Sequence, residues 1–199
     1  MSFYQEISNY NWNNVSASIY QKSEADVKKA LSKDRLDLED FKALISPAAA
    51  PYLEIIAQKS MHQTQKRFGK IMQMYIPLYL SNSCTNTCVY CGFNHSNKFE
   101  RTRLSKQEVL EEAKRIKSYG FEHVLLVTGE DSKSCGVDYI KEMMQVIKSM
   151  FSLVSIEVQP LKAEEYKNLI EGGLNTVYIY QETYNELNYK TIILRAKIQ

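Results

Sequence analysis

Cys84, Cys88 and Cys91 fall within eight residues of one another, in the run Cys-Thr-Asn-Thr-Cys-Val-Tyr-Cys. Thiolates at this spacing can wrap one compact metal centre inside a single loop. Soft sulfur donors select zinc, copper(I) or an iron–sulfur cluster. A closed structural zinc site takes four ligands, and here the fourth would be His95 or the distant Cys135. A cubane held by three cysteines instead leaves one iron with an open coordination position, where substrate chemistry could occur. Spacing leaves both readings standing. Position tips the balance towards the cluster, because zinc staples often tie small or loop-rich folds and this loop crowns a strand.

That strand is the first of four short apolar runs: IPLYLS (76–81), HVLLVTG (123–129), SIEVQP (155–160) and TVYIYQ (176–181). They are rich in β-branched and aromatic residues and largely apolar on both faces, as parallel strands covered by helices should be. Helical patterns separate them. Ser105 with Glu108 makes a capping box ahead of Val109, Ala113 and Ile116, and Gly120 closes that helix. Val137, Ile140, Met144 and Ile147 repeat at helical spacing, and AEEYKNLIEGG ends at Gly172 and Gly173. The order β-α-β-α-β-α-β predicts a parallel sheet with right-handed crossovers, either open and doubly wound or part of a barrel. In both, the site lies at the carboxyl ends of the strands. Those ends carry SNSCTNTCVYCGF, TGED, QPL and QETY, so polar and ligand-type residues gather around one shared site.

The first seventy residues read as helical and contain no strong strand. Ser23 with Asp26 starts one helix, and Ser46-Pro47 reads as an N-cap with proline in the first turn of a longer one. We therefore expect a helical region over 1–72 and a β-α region over 73–199, with the cysteine loop at 82–94. The formal net charge of +2 predicts no polyanion partner. Lys98, Arg101 and Arg103, with Glu100 among them, read as a solvated loop rather than a nucleic-acid patch. No run has the length or flanks of a membrane span or secretory leader, so a cytoplasmic chain is expected. In that compartment four cysteines are not a disulfide framework.

The C-x3-C-x2-C spacing, with Tyr90 before its last cysteine, resembles the signature of the radical S-adenosylmethionine (SAM) enzymes. LYLSNSCTNTCVYCGFNHSN, FEHVLLVTGED, IEVQPL and YQETYNELNY, in that order, resemble the aromatic-amino-acid lyase branch over about residues 76–190. The combination of VTGE, EVQPL and YQETY favours its thiamine arm, which acts on tyrosine, over siblings acting on tryptophan or in metallocluster assembly. The resemblance implies an incomplete (β/α) barrel of about four units behind an N-terminal helical segment. It implies that Cys84, Cys88 and Cys91 ligate three irons of a [4Fe-4S] cluster and that SAM chelates the fourth. Reductive cleavage of SAM would give a 5′-deoxyadenosyl radical. That radical would take hydrogen from L-tyrosine, whose Cα–Cβ bond breaks to dehydroglycine (2-iminoacetate) and p-cresol. Also implied are an electron donor such as flavodoxin or ferredoxin, and thiazole synthase as a partner.

By the same resemblance Glu130 meets the amino group of SAM, where a carboxylate makes a charge-assisted hydrogen bond. Gly129 allows close backbone approach, or simply permits a turn. Tyr90 lies along the adenine or serves as a core aromatic. Gln159, Gln181, Glu182 and Tyr184, past the third and fourth strands, are candidate substrate or cofactor contacts without assigned roles. No catalytic residue is singled out. His95 reads as a loop residue near the cluster, His123 as a satisfied structural histidine, His62 as helix surface and Cys135 as a buried thiol. The chain departs from the family by stopping after four units. Its last residues, TIILRAKIQ, are expected to reflect a frameshift or premature stop, leaving a half-barrel with unpaired edges. A zinc-binding or noncatalytic scaffold fragment is the reading from a different class.

Overall fold

The computed structural model describes residues 3–193; the final six residues of the TIILRAKIQ segment lie outside them. The chain divides into two compact units, Met1–Ile71 and Met72–Gln199.

The first unit is helical. Its elements are α1 (Phe3–Ile7), α2 (Trp12–Tyr20), α3 (Glu24–Leu31), α4 (Leu38–Leu44), a 3-10 helix (Pro47–Tyr52) and α5 (Leu53–Phe68). Ser23 and Asp26 form the expected capping box on α3, and Asp37 with Asp40 makes a second on α4. The core is small: Val27, Ala30, Ala43 and Ala49, flanked by Leu31, Leu44, Tyr52 and Ile56. Ser46 does not cap with its side chain. Its hydroxyl donates back to the Ala43 carbonyl at 2.7 Å, and the stretch after it is 3-10 rather than α. Pro47 and Pro51 explain this, since Pro51 has no N–H to give the carbonyl four residues earlier. The α-helix begins only at Leu53, and it ends at Gly69 with φ +67°.

The second unit holds β1 (Ile76–Ser81), α6 (Lys106–Ser118), β2 (His123–Thr128), α7 (Val137–Ile147), β3 (Leu153–Glu157), α8 (Ala163–Glu171), β4 (Thr176–Val177) and α9 (Glu186–Ile192). The strands are parallel and stand in the order β1-β2-β3-β4, with Ile76 opposite Val124, Val124 opposite Val154 and Ser155 opposite Thr176. This sequential order is that of a barrel arc. A doubly wound sheet would reverse strand order about its first strand. Leu78, Leu80, Val124, Leu126, Val154 and Ile156 face the helices. There they bury against Val109, Ala113 and Ile116 of α6, Ile140, Met143, Met144 and Ile147 of α7, and Leu169 of α8. The alternate residues, among them Tyr79, Val127 and Glu157, belong to the opposite face, as the two-residue period requires.

The third and fourth strands differ from expectation. β3 occupies 153–157 rather than 155–160, and β4 pairs only Thr176 and Val177 before a last bond from the Tyr178 amide to the Ile156 carbonyl. Pro160 cannot donate to a ladder. Among the described residues β4 has β3 alone beside it, so no second ladder extends it. No helix among the described residues is long and apolar enough to cross a membrane.

Candidate metal centre

The loop that leaves β1 is irregular but densely bonded. Its cysteine segment turns back on itself through Cys91 N–H to the Cys88 carbonyl, Asn94 N–H to the Cys91 carbonyl, and the Asn94 amide to the Cys88 carbonyl. The His95 amide donates to the Asn86 carbonyl at 2.8 Å. The returning limb pairs with the outgoing one: Leu104 N–H reaches the Leu80 carbonyl, and Thr102 N–H the Asn82 side chain at 2.7 Å. The Val89 amide donates to the Ile192 carbonyl at the end of α9.

The loop after β2 is clasped to this one around Cys84. Thr85 donates both its amide and its hydroxyl to the Glu130 carbonyl, each at 2.9 Å. The Ser83 hydroxyl donates to the Asp131 carboxylate at 2.6 Å, whose other oxygen accepts from the Lys133 and Ser134 amides. Burial pushes the Asp131 carboxyl upward, but those hydrogen bonds outweigh it and hold it below the usual range. Gly129 sits at the contact. A Cβ there would lie 2.2 Å from the Ser83 carbonyl oxygen and 2.9 Å from the Cys84 Cβ. Its φ is not positive, so its turn does not require glycine. The close approach does, and the approach is to the cysteine loop.

All nine residues expected at a cofactor or metal line one cavity of about 390 Å³: Cys84, Cys88, Cys91, Tyr90, Gly129, Glu130, Gln159, Gln181 and Glu182. Tyr184 is exposed and does not line it. Tyr90 donates its hydroxyl to Glu182, bringing the cysteine loop to the segment after β4. Burial first, then that bond and the Glu182, Cys88 and Cys91 charges, pushes the Tyr90 phenol far upward. Gln159 spends its amide on the Cys135 carbonyl at 3.1 Å, and its side-chain oxygen has no partner. Gln181 bonds the Thr183 carbonyl at 2.9 Å.

Several contributors were not read from the sequence. Thr128, 8% exposed, lines the cavity with its hydroxyl unpartnered. Glu157 lines it from the cavity-facing side of β3, its carboxyl raised by burial. The period-2 rule would have exposed Glu157, an acid at an alternate position in an apolar strand. Arg101 and Arg103 correct the expectation of a solvated basic loop. Arg101 donates to loop carbonyls, while Arg103 donates to the Ser134 carbonyl at 2.6 Å and lies over the Tyr139 ring. His123 is satisfied at one nitrogen only: Nε2 meets the Ser155 hydroxyl at 2.7 Å while buried Nδ1 has no partner. His95 directs Nδ1 to the Cys84 carbonyl, Cys135 is fully buried, and His62 is exposed on α5.

The three thiols share the cavity, while His95 turns Nδ1 to the Cys84 carbonyl and Cys135 is buried outside the lining, so neither candidate fourth zinc ligand joins them. Three soft sulfur donors without a fourth suit an iron–sulfur cluster. Burial and then the neighbouring Cys84, Cys91 and Glu130 charges raise the Cys88 thiol. Thiolates packed this way want a positive centre among them. The unpartnered oxygens of Thr128 and Gln159 add polar groups without a protein partner.

At the carboxyl end of its first strand this barrel arc carries three half-buried thiols, facing acids and amides from the next three. Comparison with known proteins says which family has this arrangement. The chain belongs to the Radical SAM superfamily, whose family model matches residues 78–198, and that family uses a [4Fe-4S] cluster and SAM. It is 43% identical over 188 residues to 2-iminoacetate synthase of Escherichia coli (strain K12), covering 94% of this chain and 50% of that protein. The 2-iminoacetate synthase of Salmonella typhimurium is 44% identical over the same length. Since 188 residues exceed the stretch 76–190, the likeness continues into the helical unit. Among solved structures, the hydrogenase maturase HydG superposes with a TM-score of 0.83 at 25% identity, covering 92% of this chain and 43% of that one. Methylornithine synthase superposes at 0.62 and 26%, covering 93% and 51%. The chain spans about half the length of the curated relatives it matches.

Proposed function

We propose that this chain carries the cluster- and SAM-binding half of a radical SAM lyase that cleaves the Cα–Cβ bond of L-tyrosine, giving 2-iminoacetate and p-cresol for thiamine thiazole synthesis. One observation carries the reading. The three cysteines share a cavity with Glu130, Gln159, Gln181 and Glu182, in a chain 43% identical to 2-iminoacetate synthase. Cys84, Cys88 and Cys91 would hold the cluster from loop 82–94. Bound there, a [4Fe-4S] cluster would supply the one-electron reduction of SAM on which the radical chemistry of such a lyase depends.

The rest falls to the chain. Glu130, its backbone pinned by Thr85, offers a carboxylate to the SAM ammonium. Gly129 keeps the loop pair close. Tyr90, Gln159, Gln181 and Glu182 line the remaining wall and supply polar contacts to the cofactor. Tyr79, Phe93, Val127, Tyr178 and Ile179 form the apolar part of the lining, the kind of wall that a carbon radical needs around it. The same reading places the protein in the cytoplasm, with flavodoxin or ferredoxin as electron donor and thiazole synthase as the consumer of its product.

Anaerobic reconstitution with iron and sulfide tests it. About four irons per chain, an EPR signal of the reduced protein that shifts on adding SAM, and p-cresol released from tyrosine are expected. Zinc bound in place of iron would leave the scaffold reading. A SAM-responsive cluster that cleaves tryptophan would move the chain to a sibling branch.

A further inference from the structure

Arg101 sits seventeen residues after the first cysteine, outside the cavity, and has no part in the roles above. Its guanidinium nevertheless makes four hydrogen bonds, all to backbone carbonyls of the cysteine loop. Nη1 donates to Asn82 and Phe93, each at 2.8 Å, and Nη2 to Asn94 at 2.7 Å and Asn97 at 3.2 Å. Asn82 stands two residues before Cys84, and Phe93 two after Cys91. One planar cation thus joins the outgoing limb of the loop to its returning limb across the whole cysteine segment. The Phe99 ring lies 4.0 Å from the guanidinium carbon and backs it.

We propose that Arg101 is a positioning residue for the metal centre: its four-carbonyl clasp holds Cys84, Cys88 and Cys91 in one arrangement before any cluster arrives. Arginine is required because its planar fork aims donors at several carbonyls at once. A lysine ammonium presents three donors from a single point and cannot span the same acceptors. The charge also suits the place, since four carbonyl dipoles converge there. The inference rests on the proposed function only where it speaks of a cluster. The ordering of the empty loop stands apart from it.

Two measurements test it on the full chain, in R101K, R101A and the unaltered protein. The first is amide hydrogen exchange without metal, read at Cys91, Asn94 and His95, whose amides bond within the loop. Loss of even one hydrogen bond to a charged group is worth about tenfold or more. R101A is therefore expected to exchange at least about tenfold faster at these amides, with β2 and α7 unchanged. R101K should fall near R101A, and added guanidinium ion should restore slow exchange to R101A alone. The second is the rate at which a chelator strips iron from the reconstituted chain, expected to rise in the same order. Slow exchange in R101A, or full restoration by lysine, would overturn the proposal. If α7 and β2 also exchange faster in R101A, guanidinium rescue decides: its failure counts against the clasp. A chain that takes up no iron even unaltered would fail the functional reading, while the exchange data would still judge Arg101.

Discussion

Gly129→Ala adds one methyl group at the point where the two loops of the site touch. Built on the observed backbone, it lies 2.2 Å from the Ser83 carbonyl oxygen and 2.9 Å from the Cys84 Cβ, where ordinary contact begins near 3.4 Å. Ser83 would have to move by more than an ångström. It is not free to do so: its amide is held by the Ser81 hydroxyl and its own hydroxyl by Asp131. Because φ at Gly129 is not positive, alanine brings no backbone strain, and the whole effect is steric. Overpacking of this kind costs about 1–3 kcal/mol, and a clash with backbone belongs at the upper end. At about 2–4 °C per kcal/mol for a chain of this size, Tm should fall by about 6–12 °C. Cys84 should also leave its place in the cavity, so iron bound after reconstitution should drop well below that of the unaltered chain. Gly92→Ala is the matched control. It neighbours Cys91, yet nothing lies within 4 Å of its added Cβ. Thermal unfolding followed by circular dichroism, with iron and sulfide analysis, gives both numbers. Equal stability and equal iron in Gly129→Ala and Gly92→Ala would refute the close approach and the reasoning built on it.

Substituting Cys84, Cys88 or Cys91 with Ala should abolish cluster assembly, measured as iron per chain, whereas Cys135→Ala, whose thiol is buried outside the cavity, should retain it. Burial lowers the His123 pKa, so the unfolded chain binds the proton more tightly. Stability tied to His123 is then full above the unfolded value of about 6.5 and is lost as pH falls below it. Urea unfolding between pH 8 and pH 5 should show a steeper acid-side decline in the unaltered chain than in His123→Gln. Leu126→Ala, a fully buried side chain of the central core, should cost about 2–5 kcal/mol in the same assay.

How far the sequence disclosed this architecture follows from which signals are local. β1 was legible to the residue, and the apolar repeat of Val137, Ile140, Met144 and Ile147 falls on α7, because in both places the periodicity is local. The capping boxes at Ser23 and Ser105 were legible for the same reason. Ser46 misled because its N-cap signature competes with a second proline five residues on, and only the geometry decides between them. β4 was overestimated because TVYIYQ has the composition of a strand but, among the described residues, pairs with β3 alone. At the site, the family resemblance and the order of the strand ends led to the cysteines, Glu130 and the amide residues, which line one cavity. Arg101 could not. Its partners are carbonyls, which carry no side-chain signal, and its own neighbours Lys98 and Glu100 give it the look of a solvated charge.

The same distinction explains how a loop without regular structure can present three thiols at all. Ordering one residue costs about 1–2 kcal/mol of backbone entropy, and the chain from Asn82 to Arg103 has neither helix nor strand ladder to offset it. What it has instead are two clasps of different origin. Ser83 and Thr85 tie the residues on either side of Cys84 to Asp131 and Glu130, so the first cysteine is placed by β2 as much as by β1. Arg101 and Asn94 draw the segment around Cys88 and Cys91 back upon itself. The first clasp holds the residue after Cys84 against the backbone carbonyl of Glu130, and the second folds the segment that bears the other two cysteines back on itself. A metal loop built this way inherits its geometry from the sheet, which is why the contact at Gly129 and the fork of Arg101 both matter to the cysteines they position.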